Sequence, residues 1–122
     1  MSGARVIRAA LRGVLFGALA SCGGAGDSAA IDSALCGDAP VLTWENFGQG
    51  FLTENCQTCH ASAAPDRNGA PSAVTFDDKD ESLALADQIL ARASGDDADM
   101  PPEGGVADEE RLKLEIWLSC WE

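Results

Sequence analysis

Cys56-Gln57-Thr58-Cys59-His60 is the stretch around which this chain of 122 residues is organised. Two thiols separated by two residues and followed at once by a histidine have the spacing at which proteins attach haem covalently. Each thiol can form a thioether to one haem vinyl group, and the imidazole that follows then lies under the iron. The motif therefore predicts one haem c, bound through Cys56 and Cys59, with His60 as the proximal iron ligand.

Two other chemistries use the same pair of cysteines. A thioredoxin-like dithiol would lie in a βαβ pattern, which this sequence lacks. A zinc site would need four ligands from cysteine, histidine or carboxylate groups. Haem attachment is the favoured interpretation, and dithiol redox chemistry and zinc binding are the alternatives.

Residues 1–21 have the pattern of a bacterial export signal and are not expected to belong to the folded domain. Three arginines precede a short apolar run at residues 14–20. That run is too short for a membrane-spanning helix, which needs about 20 apolar residues. Leu19-Ala20-Ser21-Cys22 resembles the lipobox of bacterial lipoproteins, so Cys22 is predicted to carry lipid. The alternatives are an ordinary cleaved signal that contains a cysteine, or an uncleaved anchor.

A lipid on Cys22 would hold the exported protein on the periplasmic side of the envelope. Residues 22–42 would then form a flexible tether and an irregular arm. Gly23 stands where better-studied inner-membrane lipoproteins have an aspartate, which favours the outer membrane. The protein is thus expected to be attached to the membrane through the lipid at Cys22.

The charge of the chain restricts its partners. Removal of residues 1–21 takes away three basic residues and no acidic ones, which leaves five basic against twenty acidic residues and a net charge of −15. Such a surface repels nucleic acid and anionic lipid headgroups. It suits redox protein partners with basic docking surfaces, although a charge that serves only solubility is an equally open interpretation.

Cysteine counting predicts a disulfide. If Cys22 carries lipid and the motif cysteines carry haem, two of the five cysteines remain, Cys36 and Cys120. Exported proteins rarely keep free thiols, so these two are expected to pair. The alternative is two buried free cysteines.

Hydrophobic periodicity predicts helices and no strand. Apolar residues spaced by three and four follow Thr43, the predicted N-cap, and indicate an amphipathic helix that runs into Cys56. Gly48 and Gly50 are poor helix formers within that helix, and they suggest close backbone approach by another element; the alternative is simply a weak helix. Residues 61–74 hold two prolines and a glycine and no helical period, so they are expected to form a loop.

Two further helices are predicted after this loop. One begins in the acidic residues 77–81 and ends before Gly95. The other begins in the acidic residues 108–110. Its expected apolar stripe is Leu114, Trp117, Leu118 and Trp121.

Taken together, these features resemble the class I, mono-haem cytochrome c family over residues 43–121. In that family a helix bearing a glycine leads into the haem motif, as the helix with Gly48 does here. That helix packs across the C-terminal helix at an aromatic residue, for which the resemblance indicates Trp117. The stretch from 61 to 82 departs from the family, because only Val74 and Phe76 are available there to line a haem edge.

The resemblance implies two further site residues. In the family, a proline after the haem histidine supplies the carbonyl that accepts the imidazole N–H; Pro71 is the closer match and Pro65 the reserve. A downstream methionine, often followed by two prolines, is the second axial ligand, which implies Met100. Apart from Met1 in the signal, Met100 is the only methionine. The alternative is that Met100 is an exposed loop residue.

The expected fold is therefore all-α, a small cytochrome c domain at residues 43–122 with three or more short helices packed around a covalently bound haem. If His60 and Met100 fill both axial positions, the iron has no open site for a substrate. The expected function is that of a monomeric electron carrier and not an enzyme. If Met100 does not bind, a five-coordinate haem gas sensor or weak peroxidase is the alternative. If no haem is attached, the alternative is a disulfide-stapled surface lipoprotein.

Overall fold

The computed structural model describes residues 34–121, and its regular structure consists of helices alone. The predicted signal, Cys22 and the first part of the predicted tether, up to residue 33, lie outside the described residues. Residues 34–121 contain no strand, which confirms the all-α prediction; residues 34–36 are helical, and six further helices follow. They are α1 (Trp44–Gly48), α2 (Gln49–Asn55), α3 (Gln57–His60), α4 (Lys79–Ala84), α5 (Ala86–Ala93) and α6 (Asp108–Cys120). In this part of the chain, no helix has the length and apolar character needed to cross a membrane.

The first helix begins at Thr43, as predicted. The Thr43 side chain accepts from the backbone N–H of Asn46, and the Asn46 side chain accepts in return from the Thr43 N–H. This reciprocal pair satisfies two donors that a helix N-terminus leaves without a partner. The α1 segment is a π-helical turn, since the N–H of Gly48 reaches back five residues to the Thr43 carbonyl at 3.0 Å. It continues directly into α2, which leads to Cys56.

Gly48 is the point at which α1 meets α6. A Cβ atom on Gly48 would lie 2.4 Å from the ring of Trp117, so only glycine allows the two helices to approach this closely. Trp117 is fully buried, and the Trp44 and Phe47 rings each lie 6.2 Å from its ring, centre to centre. This contact confirms the expected close approach at Gly48. The same expectation was wrong for Gly50, which has nothing within 4 Å of a Cβ position.

A single core connects these helices. Its members are apolar residues from α2, α5, α6 and the segment before α4, and all are buried: Phe51, Leu52, Phe76, Ile89, Ala93, Leu114, Trp117 and Leu118. Trp121 does not join them, because α6 ends at Cys120 and Trp121 is 40% exposed beyond it. The predicted stripe is therefore correct for its first three members and wrong for Trp121.

The middle of the chain contains one break that the sequence pattern did not predict. Asp78 caps α4 by accepting from the N–H of Glu81. The expected single helix is interrupted at Leu85, whose backbone leaves helical geometry at φ −110° and ψ 13°. The second part, α5, ends as predicted before Gly95, which takes a left-handed backbone conformation at φ +71°.

The disulfide predicted from cysteine counting is present in the structure. Cys36 and Cys120 are bonded, with Cα atoms 5.6 Å apart and a sequence separation of 84. The bond attaches the segment before α1 to the last residue of α6, and Cys36 lies in a helical stretch at residues 34–36 that the predicted irregular arm did not include. It thereby fixes the start of the described chain to its final helix.

Candidate functional site

The Cys-x-x-Cys-His motif occupies a single helical turn. The backbone leaves α2 at Cys56 and turns at once into α3, with the N–H groups of Cys59 and His60 both donating to the Cys56 carbonyl at 3.2 and 2.9 Å. Residues three and four apart on a helical turn lie on the same face. The fold therefore brings two thiols and an imidazole together on one face.

Both motif thiols are free and half-buried, although the other cysteine pair in the described chain is oxidised. Burial raises the pKa of the Cys56 thiol to about 11, so this group is protonated at neutral pH. A dithiol oxidoreductase needs the opposite, an attacking cysteine whose pKa is lowered. The environment of Cys56 thus argues against dithiol redox chemistry.

Zinc binding depends on how many potential ligands converge on one point. Across residues 34–121, no three side chains from His, Cys, Asp and Glu converge on a point that could hold a metal ion. A zinc site needs four such ligands, or three and a water molecule. Haem attachment would make a different demand, because the two thiols would bond to vinyl groups and the imidazole alone of these three groups would bind the metal.

His60 is oriented by a backbone carbonyl. Its Nδ1 lies 3.1 Å from the carbonyl oxygen of Val74. Since a carbonyl can only accept, Nδ1 must carry the hydrogen, and Nε2 then keeps a free lone pair. The ring also packs on Phe76, with 4.9 Å between ring centres. This tautomer is the one required for an imidazole that binds iron through Nε2.

The family resemblance implied that the Pro71 carbonyl accepts from the His60 imidazole, and this assignment was wrong. The Pro71 carbonyl accepts instead from the Arg67 side chain at 2.8 Å and from the N–H of Val74 at 3.0 Å. The reserve choice, Pro65, is exposed and lines an open cleft of about 540 Å³ on the outer side of the loop. The turn between Pro71 and Val74 brings the later carbonyl to the imidazole.

The loop between α3 and α4 is closed at its base by three contacts. The N–H of Phe76 donates to the His60 carbonyl at 2.9 Å, and the Gln57 side chain donates to the Phe76 carbonyl at 2.6 Å. The carboxylate of Asp77 accepts twice from the N–H of Ser62, at 2.9 and 3.1 Å. Both ends of the loop are thus attached to the haem-type motif or to its immediate neighbour.

Arg67 is a residue whose importance the sequence reasoning missed. It lies in the middle of this loop, and its side chain donates to four backbone carbonyls within it. The sequence did contain one signal: Arg67 is the only basic residue between positions 61 and 78. A lone basic residue in a loop without helical period has many carbonyls within reach.

Met100 lies in the segment after α5 and is held there through its backbone. Its N–H donates to the Arg92 carbonyl at 2.8 Å, and its own carbonyl accepts from Arg111 at 2.9 Å. Arg111 donates in addition to the carbonyl of Ala93, the last residue of α5. Met100 is half-buried and packs against the same core that Cys56 borders. These contacts argue against the alternative that Met100 is an exposed loop residue.

The donor set now comprises two free thiols, an imidazole with an available Nε2 and a half-buried thioether. These groups fit a covalently attached haem with histidine and methionine as axial ligands. Two open surface clefts, of about 540 and 410 Å³, flank this region, and neither is lined by His60 or Met100. The candidate site is therefore defined by its donor set and not by a cavity. Comparisons of the chain with protein-family models, curated proteins and solved structures found no match.

Proposed function

We propose that this protein is a mono-haem c-type cytochrome that passes single electrons between redox proteins at a bacterial envelope membrane, and that it is not an enzyme. The observation that carries the proposal is the state of His60. Its Nδ1 is committed to the Val74 carbonyl, and it sits on the same helical turn as two free thiols. That combination suits covalent attachment and axial ligation better than it suits dithiol or zinc chemistry.

Each residue of the site has a defined task in this proposal. The Cys56 and Cys59 thiols would hold the haem through thioethers, each S–H adding across one vinyl group so that its hydrogen goes to a vinyl carbon. His60 would hold the iron through Nε2, and the Val74 carbonyl would fix its ring orientation and increase its basicity. Met100 offers a soft thioether from the segment after α5. A haem c held in this way supplies a centre that gains and loses one electron.

The acidic surface and the N-terminal anchor define the partners. With a net charge of −15 after loss of the signal, the domain would attract partners with basic docking surfaces. Lipid on Cys22 would attach the domain to the membrane, with the outer membrane favoured. The Cys36–Cys120 bond limits the free tether to the fourteen residues that follow Cys22, up to Cys36, which span at most about 50 Å when extended. Partners would therefore lie at the same membrane or be soluble carriers that reach it.

The test is production of the full chain in an exporting host that attaches haem, followed by intact mass and absorption spectra. We expect one haem per chain, little holoprotein from His60→Ala, and no binding of carbon monoxide by the reduced wild type. A colourless product would overturn the proposal and favour a disulfide-stapled lipoprotein. Carbon monoxide binding by the wild type would instead favour a five-coordinate sensor or peroxidase.

A matched variant separates ligation by Met100 from packing. Met100→Leu keeps an apolar side chain of similar volume and removes the sulfur. We expect it to retain haem, to have a lower reduction potential and to bind carbon monoxide when reduced. A Met100→Leu protein with the wild-type potential and low-spin spectrum would show that Met100 is not the ligand.

A further inference from the structure

Arg67 binds the backbone of its own loop to an unusual extent. Its Nη1 donates to the carbonyl of Ala61 at 2.6 Å, and its Nη2 donates to those of Pro71 and Val74 at 2.8 and 2.9 Å. Its Nε approaches the carbonyl of Ala70 at 3.4 Å. A guanidinium presents five donors in a rigid plane, which an ammonium group cannot imitate.

One of these carbonyls is the partner of the candidate iron ligand. The Val74 oxygen lies 2.9 Å from Nη2 of Arg67 and 3.1 Å from Nδ1 of His60. It therefore accepts two hydrogen bonds, one from a permanent cation and one from the imidazole. The guanidinium and the imidazole N–H therefore meet at one oxygen.

The same loop also reaches the second thiol of the motif. Asn68 follows Arg67 in a left-handed backbone conformation, and its side-chain amide donates to the sulfur of Cys59 at 3.3 Å. A loop held by one arginine thus contacts two of the three chemically active residues of the motif.

We infer that Arg67 is the positioning residue of His60. It fixes the Val74 carbonyl in the orientation that selects the Nδ1–H tautomer, and it shares the acceptor capacity of that oxygen. A carbonyl engaged by a cation accepts more weakly from imidazole, so the ring donates less charge to whatever Nε2 binds. In so far as Nε2 binds haem iron, the inference rests on the proposed function and implies a higher reduction potential.

The test compares Arg67→Lys and Arg67→Gln, with Lys113→Gln as the control. Lys113 is a basic residue that pairs with Glu109 and Glu110 on α6, so its replacement removes a charge and leaves the loop intact. Because His60 is the only histidine, histidine-selective ¹⁵N labelling gives one pair of ring-nitrogen signals. This pair reports the tautomer of His60 in the full chain, both with ferrous haem attached and without haem.

We expect the Nδ1–H tautomer alone in the wild type and in Lys113→Gln, and shifted or doubled ring signals in both Arg67 variants. In haem-loaded protein, Arg67→Lys should lower the reduction potential as Arg67→Gln does, because lysine keeps the charge and loses the fork of donors. Wild-type signals and potential in Arg67→Lys would overturn the inference, since Arg67 would then act through charge alone.

One measurement needs no variant, in case replacement of Arg67 prevents folding. In the wild type, the guanidinium protons of Arg67 and the Nδ1 proton of His60 point at the same oxygen, so a nuclear Overhauser effect between them is expected. Its absence, or a wild-type Nε2–H tautomer in haem-free protein, would overturn the inference. If haem were not attached, the proposed function would be refuted. The role of Arg67 would still be decided by the His60 ring-nitrogen signals and the Overhauser effect.

Discussion

Replacement of Gly48 by alanine tests the crossing of α1 and α6, on which the fold depends. The added Cβ would lie 2.4, 2.5 and 2.7 Å from three carbons of the Trp117 ring. Carbon atoms pack best at about 3.5–4.0 Å, so a displacement of about 1 Å is needed. Trp117 is fully buried between the rings of Trp44 and Phe47, and it has little room to move.

The expected magnitude follows from two opposing effects. Overpacking of a filled core costs about 1–3 kcal/mol, and a rigid indole ring places Gly48→Ala near the upper end of that range. Alanine is a better helix former than glycine by up to about 1 kcal/mol, which offsets part of the cost. The free energy of unfolding should therefore fall by about 2 kcal/mol.

Gly50 provides the matched control, because it lies two residues after Gly48 in the helix that follows directly, and the same substitution can be made there. It has nothing within 4 Å of a Cβ position, so Gly50→Ala should stabilise the domain by about 0.5–1 kcal/mol. Denaturant unfolding followed by circular dichroism should separate the two variants by roughly 3 kcal/mol. If Gly48→Ala unfolded at the same midpoint as Gly50→Ala, the helix crossing described above would be refuted.

Three further predictions follow from other parts of the structure. Serine at both Cys36 and Cys120 should lower the free energy of unfolding by up to about 4.5 kcal/mol, because the bond closes a loop of 84 residues; a wild-type midpoint in denaturant would contradict this. Hydrogen bonds from Ser62 lower the pKa of Asp77 from its ordinary 3.8, so this carboxylate stabilises the loop above that pH and the contribution is lost as the pH falls through the lowered pKa. Asp77→Asn should therefore flatten the acid limb of a curve of stability against pH, and an unchanged limb would exclude a role for this contact. Cys22→Ala should release a soluble, still red protein on cell fractionation, and a membrane-bound variant would rule out the lipid anchor.

Local signals in the sequence predicted the helix boundaries well. The cap at Thr43, the end before Gly95 and the acidic start of α6 each depend on residues within one turn of the boundary, and all three are confirmed. Local rules did not reveal the break at Leu85, where the apolar period continues across the interruption. They also failed at Trp121, because periodicity does not show where α6 stops.

The site was predicted in its residue types and less well in its supporting contacts. The motif and the likeness of the Gly48 helix to a known family indicated Cys56, Cys59 and His60, and the structure places them on one helical turn. The carbonyl partner of His60 depends on the path of a loop without periodicity, so the choice between Pro71 and Val74 required coordinates. The structure shows which residues contact Met100, and binding of iron by Met100 remains part of the proposal.

An arginine donates to a backbone carbonyl beside each of the two candidate axial ligands, and this affects how the site responds to pH. Arg67 donates to the carbonyl that orients the His60 ring, and Arg111 donates to the carbonyl of Met100. Carbonyls do not titrate and guanidinium groups stay charged, so neither contact depends on a carboxylate. In a chain with twenty acidic residues, contacts made by carboxylates would be the first to be lost in acid. The contact of Asp77 with Ser62 belongs to that sensitive class, whereas the supports of both candidate ligands do not. The contact between Asp77 and Ser62 should therefore be lost at a higher pH than the arginine contacts beside His60 and Met100.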